Sequence, residues 1–121
     1  MDQIIDAQTN DIARFAVDVI LEKKGEDILL LDMRGVTILA DYFIICSANS
    51  ERQLRAIVEG IRGEVKETYS LYARNVEGQP ETGWMVIDYG DIIIHVFSAE
   101  KRSYYSLEEF WRDATVLLKM Q

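Results

Sequence analysis

The chain has very little cysteine, histidine and proline: among its 121 residues there is one of each. A single cysteine excludes a disulfide framework within one chain and any zinc site built on cysteines. Because there is also only one histidine, a typical structural or catalytic zinc site cannot be assembled from one chain. The composition therefore argues against small disulfide-bonded domains and against zinc proteins.

Basic residues are also few. Thirteen lysines and arginines stand against 21 acidic residues, which leaves a formal net charge of -8. Phosphate backbones are bound by clustered Lys and Arg, so we expect no direct, charge-driven binding to nucleic acid. An acidic protein can still act beside nucleic acid by binding a basic protein there.

Long apolar runs are absent as well. None reaches the roughly 18 to 20 residues that a membrane span needs, so we expect no membrane partner. The first residues, Met1 to Asp6, have neither the basic start of a signal peptide nor the Arg-rich composition of a transit peptide. We therefore expect a cytoplasmic protein, and the length predicts a single domain over residues 1–121.

Apolar periodicity is present and predicts the first elements. A stripe spaced by three and four residues predicts a helix over residues 11–24, with Asn10 as its cap and Gly25 as its left-handed stop. Two short apolar runs follow, at residues 27–33 and 41–47. Unbroken runs of this length are typical of strands that are covered on both faces.

A second helix and a hairpin are predicted next. The helix begins near Glu51, where Ser50 and Gln53 form a capping box. The strand-like runs 84–89 and 92–97 are joined by a Gly-Asp pair, which is a strong hairpin signal.

The remaining segments complete the predicted order. We expect a short strand at residues 73–76, a long mobile loop at 77–83, and a last helix opened by the capping box Ser106 to Glu109. Residues 112–121 read as a modest extension. The fold class is therefore α/β, with a mixed β-sheet flanked by helices in the order α-β-β-α-β-β-β-α.

Few side chains suggest chemistry. His95 and Cys46 lie in strand-like runs, and we interpret them as a hydrogen-bonded sheet histidine and a buried, inert thiol. Asp41, Asp88 and Asp91 could together hold Mg²⁺ for phosphoryl transfer. The alternative, which we favour, is that Asp91 serves the turn and Asp88 faces solvent or a basic partner. We expect no catalytic residue, metal or cofactor.

Aromatic residues with a polar group lie at strand ends, at hairpin ends and at the start of the last helix, and carboxylates accompany them. Such side chains are common anchors of protein interfaces, and the acids would complement a basic partner. The alternative is that some of the rings close the edge of the core. The aromatic residues are Trp84, Tyr89, Tyr104 and Tyr105, and the carboxylates are Asp88, Asp91 and Glu100.

Three motifs, in order along the chain, resemble those of the Iojap-like ribosomal silencing factors. They are Ala40-Asp-Tyr-Phe-Ile-Ile-Cys-Ser-Ala-Asn-Ser50, Gly83-Trp-Met-Val-Ile-Asp-Tyr-Gly-Asp-Ile-Ile-Ile-His-Val-Phe97 and Arg102-Ser-Tyr-Tyr-Ser-Leu-Glu-Glu-Phe-Trp111. The likeness extends over residues 12–111, which is nearly the whole chain.

The resemblance implies a function and a surface. Members of the family bind the large ribosomal subunit at ribosomal protein L-fourteen, block joining of the small subunit, and repress translation under nutrient limitation or in stationary phase. Isolated members often form homodimers. The contact residues of the family carry over onto Trp84, Tyr89 and Tyr105, with Asp88 and Asp91 as acidic neighbours.

The resemblance also bears on catalysis. The family fold is similar to that of nucleotidyltransferases, but their pattern of Gly-Ser followed by Asp-x-Asp is absent here, since Asp88-Tyr-Gly-Asp91 has the wrong spacing. We therefore expect a protein that is not an enzyme. A Mg²⁺-dependent nucleotidyltransferase-like enzyme and a simple dimeric scaffold remain the competing hypotheses.

Overall fold

The structure, a computed structural model, describes the backbone of residues 2–121 and the side chains from Gln8 onward. The helices are α1 (Asp2–Glu22), α2 (Glu51–Tyr69), α3 (Ala99–Tyr105) and α4 (Leu107–Phe110), and a 3-10 turn spans Pro80–Thr82. The strands are β1 (Glu26–Asp32), β2 (Tyr42–Ala48), β3 (Asn75–Gln79), β4 (Trp84–Asp88), β5 (Ile92–Ser98) and β6 (Thr115–Met120). None of the described helices is long and apolar enough to cross a membrane.

One mixed sheet contains six strands in the order β3-β4-β5-β2-β1-β6. The central strands β2 and β5 run parallel, and the other neighbours are antiparallel. All seven residues of β2 are buried, as the unbroken apolar run predicts. The predicted fold class, α/β with a mixed sheet flanked by helices, is confirmed, whereas the likeness to nucleotidyltransferases stays a prediction.

The two faces of the sheet are covered unequally. Alternate strand residues, among them Leu30, Ile44 and Ile94, pack in a large core with α1 and α2. The residues between them, such as Phe43 and Phe97, form a smaller cluster on the opposite face. This separation follows from the two-residue period of a strand.

Helix α2 matches its prediction closely. The Ser50 hydroxyl accepts the N–H of Gln53 at 3.0 Å, which caps the first turn. Its apolar stripe is buried. The members of the stripe are Leu54, Ile57, Val58, Ile61 and Val65.

Helix α1 differs from its prediction at both ends. It begins at Asp2 and not at residue 11, so the predicted cap Asn10 lies inside the helix. There its side-chain oxygen accepts a hydrogen bond from Arg14 Nε at 2.9 Å, one turn later, so it supports the helix without capping it. Lys24, and not Gly25, adopts the left-handed conformation, with φ 66°.

The polar stretch 77–83, predicted to be a long mobile loop, is mostly regular structure. Its first residues belong to β3, and the 3-10 turn joins β3 to β4. The predicted strand at 73–76 is accordingly displaced toward the loop. The polar segment is a strand because it pairs with β4 along the whole length of that strand, and this cross-strand pairing overrides local composition. The predicted hairpin between β4 and β5 is confirmed, with Gly90 in the turn at φ 87°.

The predicted last helix begins after Ser106 but is reduced to the single turn α4, and the end of the predicted order is wrong. Ser98, not Ser106, caps a helix there: its hydroxyl accepts the Lys101 N–H at 3.2 Å, whereas Ser106 makes no side-chain cap bond. The chain ends in β6, which pairs antiparallel with β1. Residues 112–121 therefore contribute the sixth strand, because the edge of β1 offers backbone partners that local periodicity does not reveal.

Two glycines provide a paired test of the packing around α1 and α2. A Cβ at Gly63 would meet nothing within 4 Å, whereas a Cβ at Gly25 would come within 2.4 Å of Ile20 Cγ2. Gly63→Ala should raise the free energy of unfolding by about 0.5–1 kcal/mol, because glycine disfavours a helix interior. Gly25→Ala should lower it by about 1–3 kcal/mol through overpacking.

Urea unfolding followed by circular dichroism would measure both variants beside the wild type. Equal effects of the two substitutions would contradict the described packing.

Candidate functional site

The face of the sheet opposite α1 and α2 presents polar and aromatic side chains from β4 and β5. The strand register places Trp84 beside Phe97, Val86 beside His95, and Asp88 beside Ile93. Because side chains alternate along a strand, the members of each pair lie on the same face. A row of side chains therefore crosses the open side of the sheet.

Trp84 is held on three sides. Its ring stacks on Phe97 with the centroids 5.0 Å apart, and Tyr105 of α3 lies 4.4 Å away. Its indole N–H donates a hydrogen bond to His95 Nδ1 at 3.3 Å. Trp84 is half-buried and Tyr105 is 43% exposed, so the pair is ordered by the fold and still reaches solvent.

Two grooves adjoin Trp84, and we call their lining the aromatic face. The first is lined by Glu77, Gly78, Glu81, Thr82, Trp84, Val86, Lys101 and Tyr105. The second is lined by Leu39, Phe43, Glu77, Trp84, Val86, Asp88, Ile93, His95, Leu107 and Trp111. The grooves share Trp84, which stands between them.

The charge on the aromatic face is mainly negative. Glu77, Glu81 and Asp88 line the grooves, against Lys101 alone among the basic residues of the two linings. One oxygen of Asp88 accepts the N–H of Gly90 at 2.7 Å, which orients its carboxylate. An apolar floor with acidic edges suits a basic protein partner.

Glycine is required where β3 meets Trp84. Gly78 has φ 87°, and a Cβ there would lie 2.1 Å from the Trp84 carbonyl oxygen. A side chain at this position would therefore push the hairpin away from Trp84.

His95 lies beneath this face and is 8% exposed. Burial lowers its pKa to about 4, so the ring is neutral at neutral pH. Because Nδ1 accepts the Trp84 N–H, the ring proton is on Nε2. The interpretation of His95 as a hydrogen-bonded sheet histidine is confirmed at Nδ1, whereas Nε2 is buried and has no hydrogen-bond partner among the described residues.

Cys46 is fully buried on the helix-covered side of the sheet. Burial raises the pKa of its thiol to about 12, with a small opposing effect of the Arg102 charge. The thiol is therefore protonated at neutral pH and inaccessible, as the interpretation of an inert cysteine requires.

The structure brings together part of the predicted interface set. Trp84, Tyr105 and Asp88 lie on the aromatic face, and the exposed Tyr104 packs edge-on against Tyr105 at 5.0 Å. Glu100 is exposed in the first turn of α3.

Tyr89 and Asp91 lie elsewhere, in a groove lined by Gln8, Thr9 and Ile12 of α1 and by Tyr69 at the end of α2. Tyr89 is 8% exposed and packs in the large core, where burial raises the pKa of its phenol. Its ring is therefore not presented beside Trp84.

The three aspartates considered for magnesium are only partly brought together. The Asp91 carbonyl oxygen accepts the N–H groups of Asp41 and Tyr42 at 2.9 and 3.0 Å, so its backbone connects the hairpin turn to β2. Asp88 lies on the aromatic face. Among the described residues, no group of three His, Cys, Asp or Glu side chains is arranged to hold a metal ion.

Several lining residues were missed by the sequence reasoning. Ile93 could have been found from its alternation with His95 and Phe97 in β5. Leu39, 62% exposed, comes from the loop between β1 and β2, and no local pattern marks it. Trp111 follows α4 and packs edge-on against Phe43 at 5.7 Å, so it belongs to this side of the sheet.

The comparisons with known proteins agree with the motifs. The model of a family described as "Ribosomal silencing factor during starvation" matches residues 6–121. The chain belongs to this family. A Bacillus subtilis relative, "Ribosomal silencing factor RsfS", is 42% identical over 103 residues, which are 85% of this chain and 86% of the relative. The resemblance to ribosomal silencing factors is thereby confirmed, and the family name places the chain among regulators of translation.

Two further relatives extend the comparison. A mouse protein, "Mitochondrial assembly of ribosomal large subunit protein 1", is 30% identical over 108 residues, which are 82% of this chain and 46% of the relative. A crystal structure of a Chromobacterium violaceum protein matches with a TM-score of 0.80 and 29% identity, over 84% of each chain. This silencing-factor fold is therefore shared with an experimentally solved bacterial protein.

The buried neutral His95 predicts a pH dependence of stability. Above about pH 6.5 the ring is neutral in both the folded and the unfolded chain, so its contribution to stability is fully present. As the pH falls from there toward the folded pKa of about 4, the unfolded chain binds a proton that the folded chain does not. Stability should fall by an amount on the order of 3 kcal/mol.

Urea unfolding between pH 7.5 and 4 would be compared for the wild type and His95→Gln, since carboxylates titrate equally in both. The variant should lack this part of the decline. Parallel curves for the two proteins would show that His95 is not buried in a neutral state.

Proposed function

We propose that the protein binds the large ribosomal subunit through ribosomal protein L-fourteen and sterically blocks joining of the small subunit. Translation would thereby be repressed under nutrient limitation or in stationary phase. The observation that supports this most directly is the aromatic face, in which Trp84, packed against Tyr105, stands between two grooves with an acidic edge. Membership in the silencing-factor family and the name of the mouse relative point to the same ribosomal subunit.

The chemistry of the face fits a protein partner. Tryptophan and tyrosine are frequent hot-spot residues, because they bury a large area with little loss of conformational entropy. Leu39 and Ile93 extend the apolar floor beside Trp84, and Glu77 and Asp88 border it. A basic ribosomal protein would complement these acids, and the approach of the two proteins would be accelerated by their opposite charges.

We also propose a cytoplasmic location and a homodimer of the free protein. Ribosomal subunits join in the cytoplasm of bacteria, so a factor that blocks joining must act there. Leu39 is 62% and Phe110 is 74% exposed, and a second copy would remove both from water when no ribosome is bound. Sedimentation velocity over a range of concentrations would show a dimer, and a constant monomer mass up to high concentration would contradict it.

The proposed function predicts an effect on the joining of ribosomal subunits. The protein should pellet with purified large subunits and not with joined ribosomes, and it should lower the yield of joined ribosomes in a dose-dependent way. Binding should weaken moderately with salt, since the contact is to a protein and not mainly to phosphates. Sucrose gradients that are unchanged at saturating protein would refute the proposal, and Mg²⁺-dependent nucleotide turnover would support the enzyme hypothesis instead.

The proposed function also predicts that the aromatic face binds the large subunit. Trp84→Ala and Tyr105→Ala should each weaken binding to the large subunit by about 2 kcal/mol, roughly thirtyfold, as expected for interface hot spots. Tyr72→Ala is the matched control, because Tyr72 is 66% exposed and its ring packs against Lys66 of α2, away from this face.

Thermal melts would accompany the pelleting assays for all three variants. Full binding by folded Trp84→Ala and Tyr105→Ala proteins would show that the large subunit is bound by a surface other than the aromatic face. The groove with Tyr89 and Asp91 would then be tested.

A further inference from the structure

The segment that carries Tyr105 is anchored weakly by apolar contacts. None of the residues of α3 and α4 is fully buried, although Leu107 of α4 is half-buried and packs against the smaller cluster. The start of α3 is fixed by the Ser98 cap and by a hydrogen bond from the Ser98 N–H to the Gly83 carbonyl at 2.8 Å. Tyr105 lies at the other end of the helix, where these contacts do not reach. There its ring lies 6.2 Å from that of Phe97, and polar contacts add a further restraint.

Arg102 provides polar contacts at that end. Its side chain is 11% exposed, and its Nε donates to a carboxylate oxygen of Glu108 in α4 at 3.1 Å. Its Nη1 donates to the hydroxyl of Ser47 at the end of β2 at 3.0 Å and to the backbone carbonyl of Asp27 in β1. One guanidinium thus joins two helices to two strands.

The acceptor on β1 is placed by an irregularity in the strand. The register between β1 and β2 shifts between Glu26 and Leu29, and Asp27 within this bulge has φ 49°. Bulges redirect backbone groups away from the regular ladder. The redirected Asp27 carbonyl is the one that Arg102 reaches.

We propose that Arg102 is a positioning residue of the aromatic face: it holds α3 and α4 against β1 and β2 and thereby keeps Tyr105 packed on Trp84. The inference rests on the proposed function only for its effect on binding. The fork of the guanidinium is needed, since a lysine ammonium on its flexible stem cannot span the same three acceptors in fixed geometry.

The geometry also explains why the residue acts through Tyr105. Arg102 lies three positions before Tyr105, within the last turn of α3, and the helix ends at Ser106 in a left-handed conformation. A loosened Arg102 would free the end of α3 together with Tyr105. Trp84 would keep its stacking on Phe97 and its hydrogen bond to His95.

The positioning role is tested by fluorine NMR of protein labelled with 5-fluorotryptophan, in which the chemical shift of Trp84 reports the rings packed against it. The chain has two tryptophans, so the Trp84 resonance is assigned with Trp84→Phe. Tyr105→Ala should move this resonance, because the neighbouring ring is removed, and Arg102→Lys should move it in the same direction. Arg112→Gln is the matched control, since Arg112 is an exposed arginine just beyond α4. An unmoved Trp84 resonance in folded Arg102→Lys protein would overturn the proposal.

Ser47→Ala is a milder variant in case Arg102→Lys does not fold. It removes one acceptor of the guanidinium and leaves the charge of the protein unchanged. The Trp84 resonance should move in the same direction by a smaller amount. Arg102→Gln, which removes the guanidinium altogether, would be measured beside it. A Trp84 resonance that is unmoved in folded Ser47→Ala and in folded Arg102→Gln protein would also overturn the proposal.

Binding provides the second readout, through a double-mutant cycle. Arg102→Lys should weaken binding to large subunits about tenfold in the wild-type background and less than about twofold in the Tyr105→Ala background. Equal losses in both backgrounds would show that Arg102 does not act through Tyr105. If wild-type protein does not bind large subunits, the proposed function fails, while the fluorine measurement still decides the positioning of Tyr105.

Discussion

The parallel pairing of β2 with β5 is the constraint on which the rest of the structure depends. Parallel neighbours cannot be joined by a tight turn, so the chain has to cross between them. It crosses through α2 and the β3–β4 hairpin. Helix α2 packs beside α1 on one face, which completes the large core there. The hairpin extends the sheet sideways and covers neither face, so the opposite face is covered by short segments.

This unequal covering produces the aromatic face. Trp84 and Trp111 partly cover the smaller cluster, and both also line grooves that open to solvent. The same side chains therefore stabilise the fold and form the surface available to a partner. Leu107 packs the covering helices on this cluster, and polar contacts add to it: the cap at Ser98 at one end of α3 and the Arg102 guanidinium at the other. Acidic residues around the grooves oppose indiscriminate association of so apolar a surface.

The apolar spacing of a segment predicted its structure correctly where the apolar residues of that segment are the ones that are buried. Helix α2, strands β1 and β2 and the β4–β5 hairpin lie where the apolar runs and turn residues place them. The prediction failed where a segment is a strand because of its pairing partner and not because of its own apolar pattern. Residues 115–120 contain apolar side chains compatible with a helix or a strand, and the free edge of β1 decides for a strand. The polar segment 75–79 is likewise a strand because β4 lies beside it.

By itself the sequence determined the class of fold and the core helix α2. It also determined that Cys46 and His95 are buried and that aromatic residues lie at the ends of strands. The tertiary structure decided which aromatic residues meet. Tyr89 lies in the large core against the helices, whereas Asp88, the residue before it, lines a groove beside Trp84. Tyr105 comes from a separate helix and reaches Trp84 through the packing of that helix on the sheet. Residue type and local periodicity are properties of neighbouring residues, but contact between distant segments depends on strand register and on which face each element covers.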